Sequence, residues 1–505
     1  MTKKRSFVLI AIVVIMALSV LGLVACKKPA DVDGVKNDNN LQTEQTTPNY
    51  NGDKDEVSDD ESPVASVGFG FELVGSDENA YYTITDASFA NINGKKYAEI
   101  IIPDVYNEKP VKAINNEVFK KFDSLSSVIV LGHNLEIIGD GAFRDCAALA
   151  TFEFFEAADT GDYTMVPLKS IGNSAFMNCN ALGKLVFSDK LETLGLGAFR
   201  NCSKLESIVI PEKVTEIPAQ TFQGCSSLRY IQLSKETTSI GAEAFDKCTN
   251  LLVISENEID VPDDNKVKLP SSVILPSKVT SLGEKAFNAC TKITNITLPE
   301  GIVNINEGTF YGCTAMAEVT LQGEIVEIDD NAFRNCSGIK KFTTPSSLRR
   351  IGKNAFRNTS KLESITLNQS LHTIDDGAFL LSGIKSINIL GGVTYIGKEA
   401  FAECKKLSKV VFPATLSVIG DGAFRETGVE KMDVSTGEDG VEIETPTGIL
   451  EITYEFTGTV EQWNAVIKNG PSFWGNINSQ IKIICNGSEG EQVDLVLTQV
   501  PVENE

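Results

Sequence analysis

The stretch LESIVIPEKVTEIPAQTFQGC, from Leu205 to Cys225, is one copy of a pattern that recurs along most of this 505-residue chain. Its general form is L-x-x-I-x-L-P-x-x-L-x-x-I-G-x-x-A-F-x-x-C. The most regular position is a phenylalanine, usually 23 residues from the next copy: Phe119, Phe143, Phe176, Phe199, Phe222, Phe245, Phe287, Phe310, Phe333, Phe356, Phe379, Phe401 and Phe424. A fixed period of about 20 to 29 residues predicts a solenoid in which each copy forms one coil stacked on its neighbours.

Each copy contains two local patterns. From Ser207 to Ile210 every second side chain is isoleucine, which is the period of a strand with one buried face, and Pro211 then ends the strand. In an equivalent copy Ile138, Ala142 and Cys146 are spaced four residues apart, so they can face inward from a short helical turn. The sequence therefore predicts a parallel sheet on one side, short helical turns on another, and a spine of stacked phenylalanines inside.

One slot of the pattern, directly after an isoleucine or leucine, is almost always glycine or a small polar residue. Its occupants are Gly139, Gly172, Gly195, Gly241, Gly283, Gly352, Gly397 and Gly420, with Asn306, Asp329 and Asp375 as variants. Such a set predicts a residue in the left-handed conformation. Pro218 occupies the same slot, and its fixed φ is incompatible with that conformation.

The chain has 11 cysteines, and most lie three residues after the repeated phenylalanine. These are Cys146, Cys179, Cys202, Cys225, Cys248, Cys290, Cys313, Cys336 and Cys404. Stacked coils would bring them close enough for disulfides, but their Cβ vectors would run parallel, and some copies have no cysteine. No histidine accompanies these cysteines, and side chains stacked in a row cannot form the tetrahedral ligand set of a zinc site. We therefore predict buried free thiols, with no metal or cofactor.

The N-terminal segment reads as a secretion signal. A basic start, Met1–Arg5, precedes an almost wholly apolar run that ends in Leu23-Val24-Ala25-Cys26. This segment resembles a bacterial lipoprotein signal. The resemblance implies removal of residues 1–25 and lipidation of Cys26, which would anchor the chain to a membrane; an uncleaved membrane helix is the alternative.

The remaining boundaries follow from composition and from where the repeat starts and stops. Residues 26–64 are predicted to be a disordered acidic tether, because ten acidic residues between Asp31 and Pro63 face only two lysines. Residues 65–110 are an N-terminal cap, 111–428 the solenoid of about 13 copies, 429–485 a C-terminal cap, and 486–505 a loose tail. Val460–Ile467 is predicted to be a short helix with Thr459 as its N-cap. Two longer copies predict edge loops at 156–164 and 255–271.

Charge and motifs exclude several functions. A formal net charge of −23 disfavours nucleic acid. His133 and His372, the only histidines, stand in different copies with no nucleophile nearby in sequence, and no catalytic or phosphate-binding motif occurs. The adjacent carboxylates Asp329-Asp330 and Asp375-Asp376 are explained as caps of helical turns. We therefore predict no catalytic residues and no enzyme.

The copies resemble the BspA-like, or treponemal-type, leucine-rich repeat proteins of bacteria. The likeness rests on Leu205-x-x-Ile208-x-Ile210-Pro211 followed by Ile217-x-x-x-Thr221-Phe222-x-x-Cys225 and its copies over 111–428. The lead-in at 105–111 and the segment Gly458–Trp463 are also typical of the family. The resemblance implies a right-handed curved solenoid with a parallel sheet on the concave side, and a surface protein that binds host or neighbouring-cell proteins.

The outward side chains of the predicted sheet form the candidate binding surface. They include Ser207, Tyr230, Gln232, Asn295, Thr297, Thr320, Lys341, Thr343, Thr366, Asn388 and Lys409. The favoured function is a monomeric, lipid-anchored surface protein, such as an adhesin, that binds host or neighbouring-cell proteins with this face and the edge loops. The alternatives are a purely structural envelope lipoprotein, or a glycan-binding protein using Trp463 and Trp474.

Overall fold

The computed structural model describes residues 68–88, 99–155, 166–257, 271–436, 442–469, 479–486 and 492–496. All of them belong to the unit Ser62–Glu505. The predicted signal, Cys26, the tether, both edge loops (but for 255–257 and residue 271) and Trp474 lie outside these ranges. Within them, no helix is long and apolar enough to cross a membrane.

The described chain is built mainly of short strands and turns. In chain order the strands are β1 (Gly68–Val74), β2 (Tyr81–Ser88), β3 (Glu99–Ile102), β4 (Val105–Tyr106), β5 (Lys109–Ile114), β6 (Ser127–Val130), β7 (Ile137–Ile138), β8 (Thr151–Phe154), β9 (Ser170–Ile171), β10 (Thr193–Leu194), β11 (Ser207–Val209), β12 (Glu216–Ile217), β13 (Tyr230–Gln232), β14 (Ser239–Ile240), β15 (Val253–Ser255), β16 (Ser272–Ile274), β17 (Ser281–Leu282), β18 (Asn295–Leu298), β19 (Asn304–Ile305), β20 (Glu318–Leu321), β21 (Glu327–Ile328), β22 (Lys341–Thr343), β23 (Arg350–Ile351), β24 (Ser364–Thr366), β25 (Thr373–Ile374), β26 (Ser386–Asn388), β27 (Tyr395–Ile396), β28 (Lys409–Phe412), β29 (Val418–Ile419), β30 (Val429–Thr436), β31 (Glu442–Phe456), β32 (Ile467–Lys468), β33 (Ser479–Asn486) and β34 (Gln492–Val496). Helix α1 spans Val460–Ala465.

Most coils contribute one strand to a front sheet and one two-residue back strand. The front strand of one copy pairs in parallel with that of the next, as Ile208 does with Ile231. The back strands pair in the same way, as Ile217 does with Ile240. Equivalent residues of successive copies therefore lie side by side, and the predicted repeat solenoid is confirmed.

The turn that follows each back strand is not a helix, so the expected helical turns are corrected. Backbone N–H groups bond three residues back, as from Cys225 to Phe222 (3.1 Å), rather than four. Alternate residues also bond to the next coil, with the Phe199 N–H donating to the Thr221 carbonyl at 2.9 Å. These bonds between the turns of successive coils form a third ladder, beside those of the front and back strands. They replace the hydrogen bonds that a helix would make within itself.

The phenylalanine spine is confirmed. The rings from Phe119 to Phe424 stack in one continuous column, with successive centroids between 4.9 Å and 5.7 Å apart. Phe222 is 0% exposed and lies 5.7 Å from the rings of both Phe199 and Phe245. Because offset aromatic stacking adds to apolar burial, each ring ties its coil to two others.

The glycine slot is explained by contact rather than by φ, which corrects the predicted left-handed conformation. A Cβ built on Gly195 would lie 2.2 Å from the carbonyl carbon of Gly172 in the preceding coil, closer than real Cβ atoms come. The left-handed residues stand two and six positions later, at Gly197 (φ 60) and Asn201 (φ 61). Pro218 is compatible with the slot because no positive φ is needed there.

The repeated cysteines are unpaired and buried, and each thiol donates a hydrogen bond across coils. Cys225 Sγ lies 3.1 Å from the Phe199 carbonyl oxygen of the preceding coil. That oxygen also accepts the N–H of Cys202 in its own turn at 3.0 Å. Thr427, in the cysteine slot of the last copy, makes the same bond to Phe401 at 2.6 Å. The thiol is therefore a small apolar filler that also joins neighbouring turns.

One copy contributes two strands to the front sheet. Strand β15 pairs with β16 through Ile254 and Val273, and the flanking strands β13 and β18 pair with β15 and β16. On the back, β14 pairs directly with β17. The 42-residue copy therefore adds a strand to one sheet without adding one to the other.

The predicted caps continue the coil at both ends. Strands β2 and β3 pair in parallel with β5 and β6, so part of 65–110 already forms a coil, covered by the antiparallel strand β1. At the other end, β31 and β33 extend the front sheet and β32 extends the back. The sequence predicts a loose tail, but β34 pairs antiparallel with β33. Val493 and Leu495 alternate with the polar Gln492 and Asp494, which suits a strand.

Thr459 is the N-cap of helix α1 as predicted, but the helix ends at Ala465, and Ile467, the predicted last residue, begins β32. The Thr459 hydroxyl accepts the Gln462 N–H, and the Gln462 side chain accepts the Thr459 N–H, which makes a capping box. The helix places Trp463 against Phe412 and Phe456, where it is 2% exposed. Trp463 is thus a core residue of the cap and cannot serve as a sugar platform.

Candidate binding surface

The outward face of the front sheet, here called the front face, presents most of the predicted binding residues to solvent. Asn295, Thr320, Lys341, Thr343, Thr366, Asn388 and Lys409 are exposed, and Ser207, Gln232 and Thr297 are half-buried. Alternation along each strand explains this, since the residues between them point into the core.

Tyr230 differs from this pattern, because it is only 5% exposed and cannot be an accessible contact residue. Its strand register is the expected one, between Ser207 and Val253. The guanidinium of Arg229 lies over its ring, 5.3 Å from the centroid. The alternation of residues along a strand predicts the face on which a side chain lies. It does not predict whether neighbouring residues bury that side chain.

The parallel register places the remaining residues in columns. Asn295 lies beside Glu318, and Thr297 beside Thr320. Thr343 lies beside Thr366 in the next paired section. The four threonines therefore form two side-by-side pairs, separated by the gap between β20 and β22.

The front face has few charges for so acidic a protein. Across the outward positions from β6 to β28 the charged residues are Glu153, Lys184, Glu318, Lys341 and Lys409. Lys409 is bound to Glu455 of β31 at 2.6 Å. The face is thus polar and nearly neutral, with the acidic excess of the chain lying elsewhere.

A cleft opens in this face between β20 and β22, and the sequence did not predict it. The pairing of the front sheet stops at β20 and resumes between β22 and β24. The cavity is about 650 Å³ and is lined by Asn295, Ala317, Glu318, Val319, Thr320, Leu321, Lys340, Lys341, Thr343, Thr344 and Pro345. The residue after β20 gives no clear signal: it is Gln322 where some copies have proline, but Ser234 follows a normally paired strand in the same way.

Outside the front face, acidic side chains hold the coils together. The Asp330 carboxylate accepts the N–H of Lys353 in the following coil at 2.8 Å, so the adjacent aspartates cap the next coil and not a helix of their own. Arg350 bonds to Asp329, Asp330 and Asp375 at 2.8–3.0 Å. Burial would lower the pKa of Arg350, but these three carboxylates raise it, which keeps the guanidinium charged.

The described part of the chain offers no grouping typical of catalysis or metal binding. It holds no set of three or more His, Cys, Asp or Glu side chains placed to bind a metal ion. His133 and His372 are exposed and stand in separate coils. Burial raises the pKa of Cys225 and of Cys313 to about 12, which keeps both thiols protonated.

Fold and surface together define a leucine-rich repeat solenoid with a long polar face. A family model described as the BspA type leucine rich repeat region (6 copies) matches residues 78–166, 165–262, 265–381 and 326–441. These matches cover most of the chain, and the protein belongs to this family.

Solved structures of similar proteins come from several bacteria. A leucine rich cell surface protein from Faecalibacterium prausnitzii is 22% identical, with a TM-score of 0.46, over 81% of this chain and 98% of that one. The leucine rich repeat protein of T. pallidum is 24% identical, with a TM-score of 0.35, over 45% and 87%. The pneumococcal vaccine antigen PcpA is 17% identical, with a TM-score of 0.40, over 80% and 96%. No curated protein matches.

Proposed function

We propose that this protein is a non-enzymatic, monomeric binding protein of the bacterial cell surface, anchored by lipid on Cys26, that recognises protein ligands through the front face. The main support is the face itself: in-register columns of exposed threonine, serine and asparagine side chains on a chain of net charge −23. Such a surface offers hydrogen bonds at fixed spacing without charge repulsion of an acidic partner. Its extent suits an interface of about 800 Å² per partner.

The proposal also rests on what each side chain contributes to the core. Phenylalanine, cysteine and glycine in the repeat are all used in stacking the coils, at 0% exposure for Phe222 and Cys225. Exposed front-face side chains such as Thr343 and Thr366 are not part of that packing, so they are available to contact a ligand. A binding role gives those positions a function.

A direct binding assay with two matched variants tests the proposal. The front variant is Thr343→Arg/Thr366→Arg, and the control is Ser281→Arg/Asn304→Arg, which adds the same charge at exposed positions of back strands. Purified protein is applied to an immobilised panel of extracellular matrix and bacterial surface proteins. We expect binding to at least one protein, weakened at least about tenfold by the front variant only.

Two outcomes would contradict the front-face proposal. Equal loss in both variants would mean that charge alone was measured, and no binding above a charge-matched control protein would favour a purely structural envelope role. Anchoring is tested separately: Cys26→Ser should abolish incorporation of a labelled fatty acid and release the protein from membranes. Persistence of the label in that variant would contradict the lipid proposal.

A further inference from the structure

The cleft between β20 and β22 differs from the break in the front sheet between β24 and β26. Between β24 and β26 the Lys385 N–H still donates to the Glu363 carbonyl at 3.1 Å, so those coils remain joined at the strand start. Between β20 and β22 no strand pairing is present, although the back strands β21 and β23 of the same coils pair normally. The separation is therefore local to the front face.

The walls of the cleft carry main-chain groups without a ladder partner. In paired copies the position equivalent to Leu321 bonds to the next coil: Leu233 donates to the Ser255 carbonyl at 2.9 Å. By the same alternation, Val319 and Leu321 direct their N–H and C=O groups towards β22, and Lys341 and Thr343 direct theirs back. Such edges are where an extended peptide can add main-chain hydrogen bonds.

The floor of the cleft is apolar. Val319 and Leu321 are the inward side chains of β20, yet both are only partly buried. The corresponding residues of the preceding strand, Ile296 and Leu298, are 1% and 0% exposed. The opening therefore uncovers apolar surface that a closed sheet would bury, and an occupant could cover it again.

The rim of the cleft carries positive charge, although the net charge of the whole chain is negative. Lys340 and Lys341 are exposed and make no ion pair within residues 271–436. At the position equivalent to Lys340 the next coil has Glu363, which already pairs with Lys385 of the coil after it at 2.9 Å. Glu318 is the acidic residue that lines the cavity, so its lining charge is positive.

We propose that this cleft binds a short extended segment of a partner polypeptide that carries acidic side chains. The nearest Cα atoms of β20 and β22 lie within 8 Å of each other, so the two strands would move apart to about 9.6 Å to admit the main chain of the segment. That main chain would then bond to Val319, Leu321, Lys341 and Thr343. Its apolar atoms would cover the floor, and its carboxylates would meet Lys340 and Lys341. The length of β20 corresponds to about four residues at roughly 3.3 Å each. This inference rests on the proposed function, and it names the segment of a protein ligand that the front face recognises.

Fluorescence anisotropy with defined probes tests the inference on the whole protein. The main probe is a labelled octapeptide of alternating threonine and glutamate. The comparison probes are the same peptide with lysine for glutamate, the same peptide N-methylated at alternate residues, and a heparin hexasaccharide. The variants are Lys340→Glu/Lys341→Glu and, as a control of equal charge change, Lys204→Glu/Lys292→Glu, at exposed positions three residues before β11 and β18.

We expect the acidic peptide to bind, and both the Lys340→Glu/Lys341→Glu variant and N-methylation to weaken it at least about tenfold, while the control variant stays within about twofold. Heparin binding as tight as the peptide, or unchanged affinity after N-methylation, would overturn the inference in favour of a charge-only anion site. Equal losses in both variants would overturn it as well.

Failure of this inference is distinguishable from failure of the proposed function. If the peptide does not bind but the protein panel is still captured and lost in the Thr343→Arg/Thr366→Arg variant, the front face binds its ligand in another way. If neither probe nor panel binds, both proposals fall. Circular dichroism of each variant ensures that a loss reflects the cleft and not unfolding.

Discussion

Replacing Gly195 by alanine tests why the coils need glycine at this slot. The new Cβ would stand 2.2 Å from the Gly172 carbonyl carbon, whereas ordinary contacts begin at 3.4 Å, so the coils must separate by 3.4 − 2.2 = 1.2 Å. Two bonds flank this point, Ser174 N–H to the Leu196 carbonyl and Leu196 N–H to the Asn173 side chain, both 2.8 Å.

Stretching both bonds to about 4 Å would lose roughly 0.5–1.5 kcal/mol each. The expected loss is therefore about 1–3 kcal/mol in the free energy of unfolding, which matches typical overpacking. Urea denaturation followed by circular dichroism measures it, and hydrogen exchange should show the weakening first at 170–200, because a solenoid unfolds in local steps.

Gly183→Ala is the matched control, since its Cβ would have nothing nearer than the Lys204 carbonyl at 3.9 Å. We expect it to be neutral, or to stabilise by about 0.4–1 kcal/mol. The contact explanation is wrong if Gly195→Ala is as stable as Gly183→Ala. It is also wrong if Gly195→Asn is much milder than Gly195→Ala, since asparagine tolerates a left-handed φ but still carries a Cβ.

Three further outcomes are expected. At pH 8 Cys225 should resist iodoacetamide in the folded protein and react in urea, because burial raises its pKa to about 12; mass spectrometry measures this, and fast labelling of the folded state would contradict it. Arg350→Ala should lower the free energy of unfolding by about 1.5–3 kcal/mol in urea melts, by removing charged hydrogen bonds to three aspartates, and an unchanged melt would show that water replaces them. Burial would raise the pKa of Glu136, but hydrogen bonds from Lys169 and Lys112 lower it below the ordinary 4.5. The stabilisation is therefore present above pH 4.5 and lost as the pH falls through the lower folded-state pKa. Glu136→Gln should be less stable than the wild type at pH 7 and equal to it in strong acid, as measured by thermal unfolding at each pH; a constant difference would contradict the pairing.

The repeat and its core could be predicted because they depend on one coil at a time. The position of Phe222 in the pattern already implies a buried ring, and stacking identical coils then implies a spine. Thr459 and its helix were predictable for the same reason, since a capping box is local in sequence. The front-face columns, such as Thr297 beside Thr320, follow from equal spacing between copies.

What could not be predicted depends on contact between coils. The spacing of Ile138, Ala142 and Cys146 fits a helical turn, but it fits equally a turn whose N–H groups bond to the neighbouring coil. Gly195 looks like a turn residue until its distance to Gly172 is known. Tyr230 alternates correctly and is nevertheless covered.

The cleft belongs to the same class of feature. Strand β20 has an ordinary alternating sequence, and nothing within Glu318–Leu321 indicates that its neighbour has moved away. The cleft is visible only from the missing strand pairing between β20 and β22, which depends on how two coils lie relative to each other. A binding subsite of this kind is therefore invisible to any pattern read one copy at a time.

The extra front strand β16 has a consequence for how such chains change length. Because β14 pairs directly with β17 while β15 and β16 both pair on the front, the two sheets need not hold equal numbers of strands. The chain can therefore grow by a fraction of a repeat, by adding one strand to the front sheet alone. The phenylalanine column stays continuous, with the ring centroids of Phe245 and Phe287 5.3 Å apart. Evolution thus has a finer increment than whole-copy duplication for adjusting the surface without rebuilding the interior.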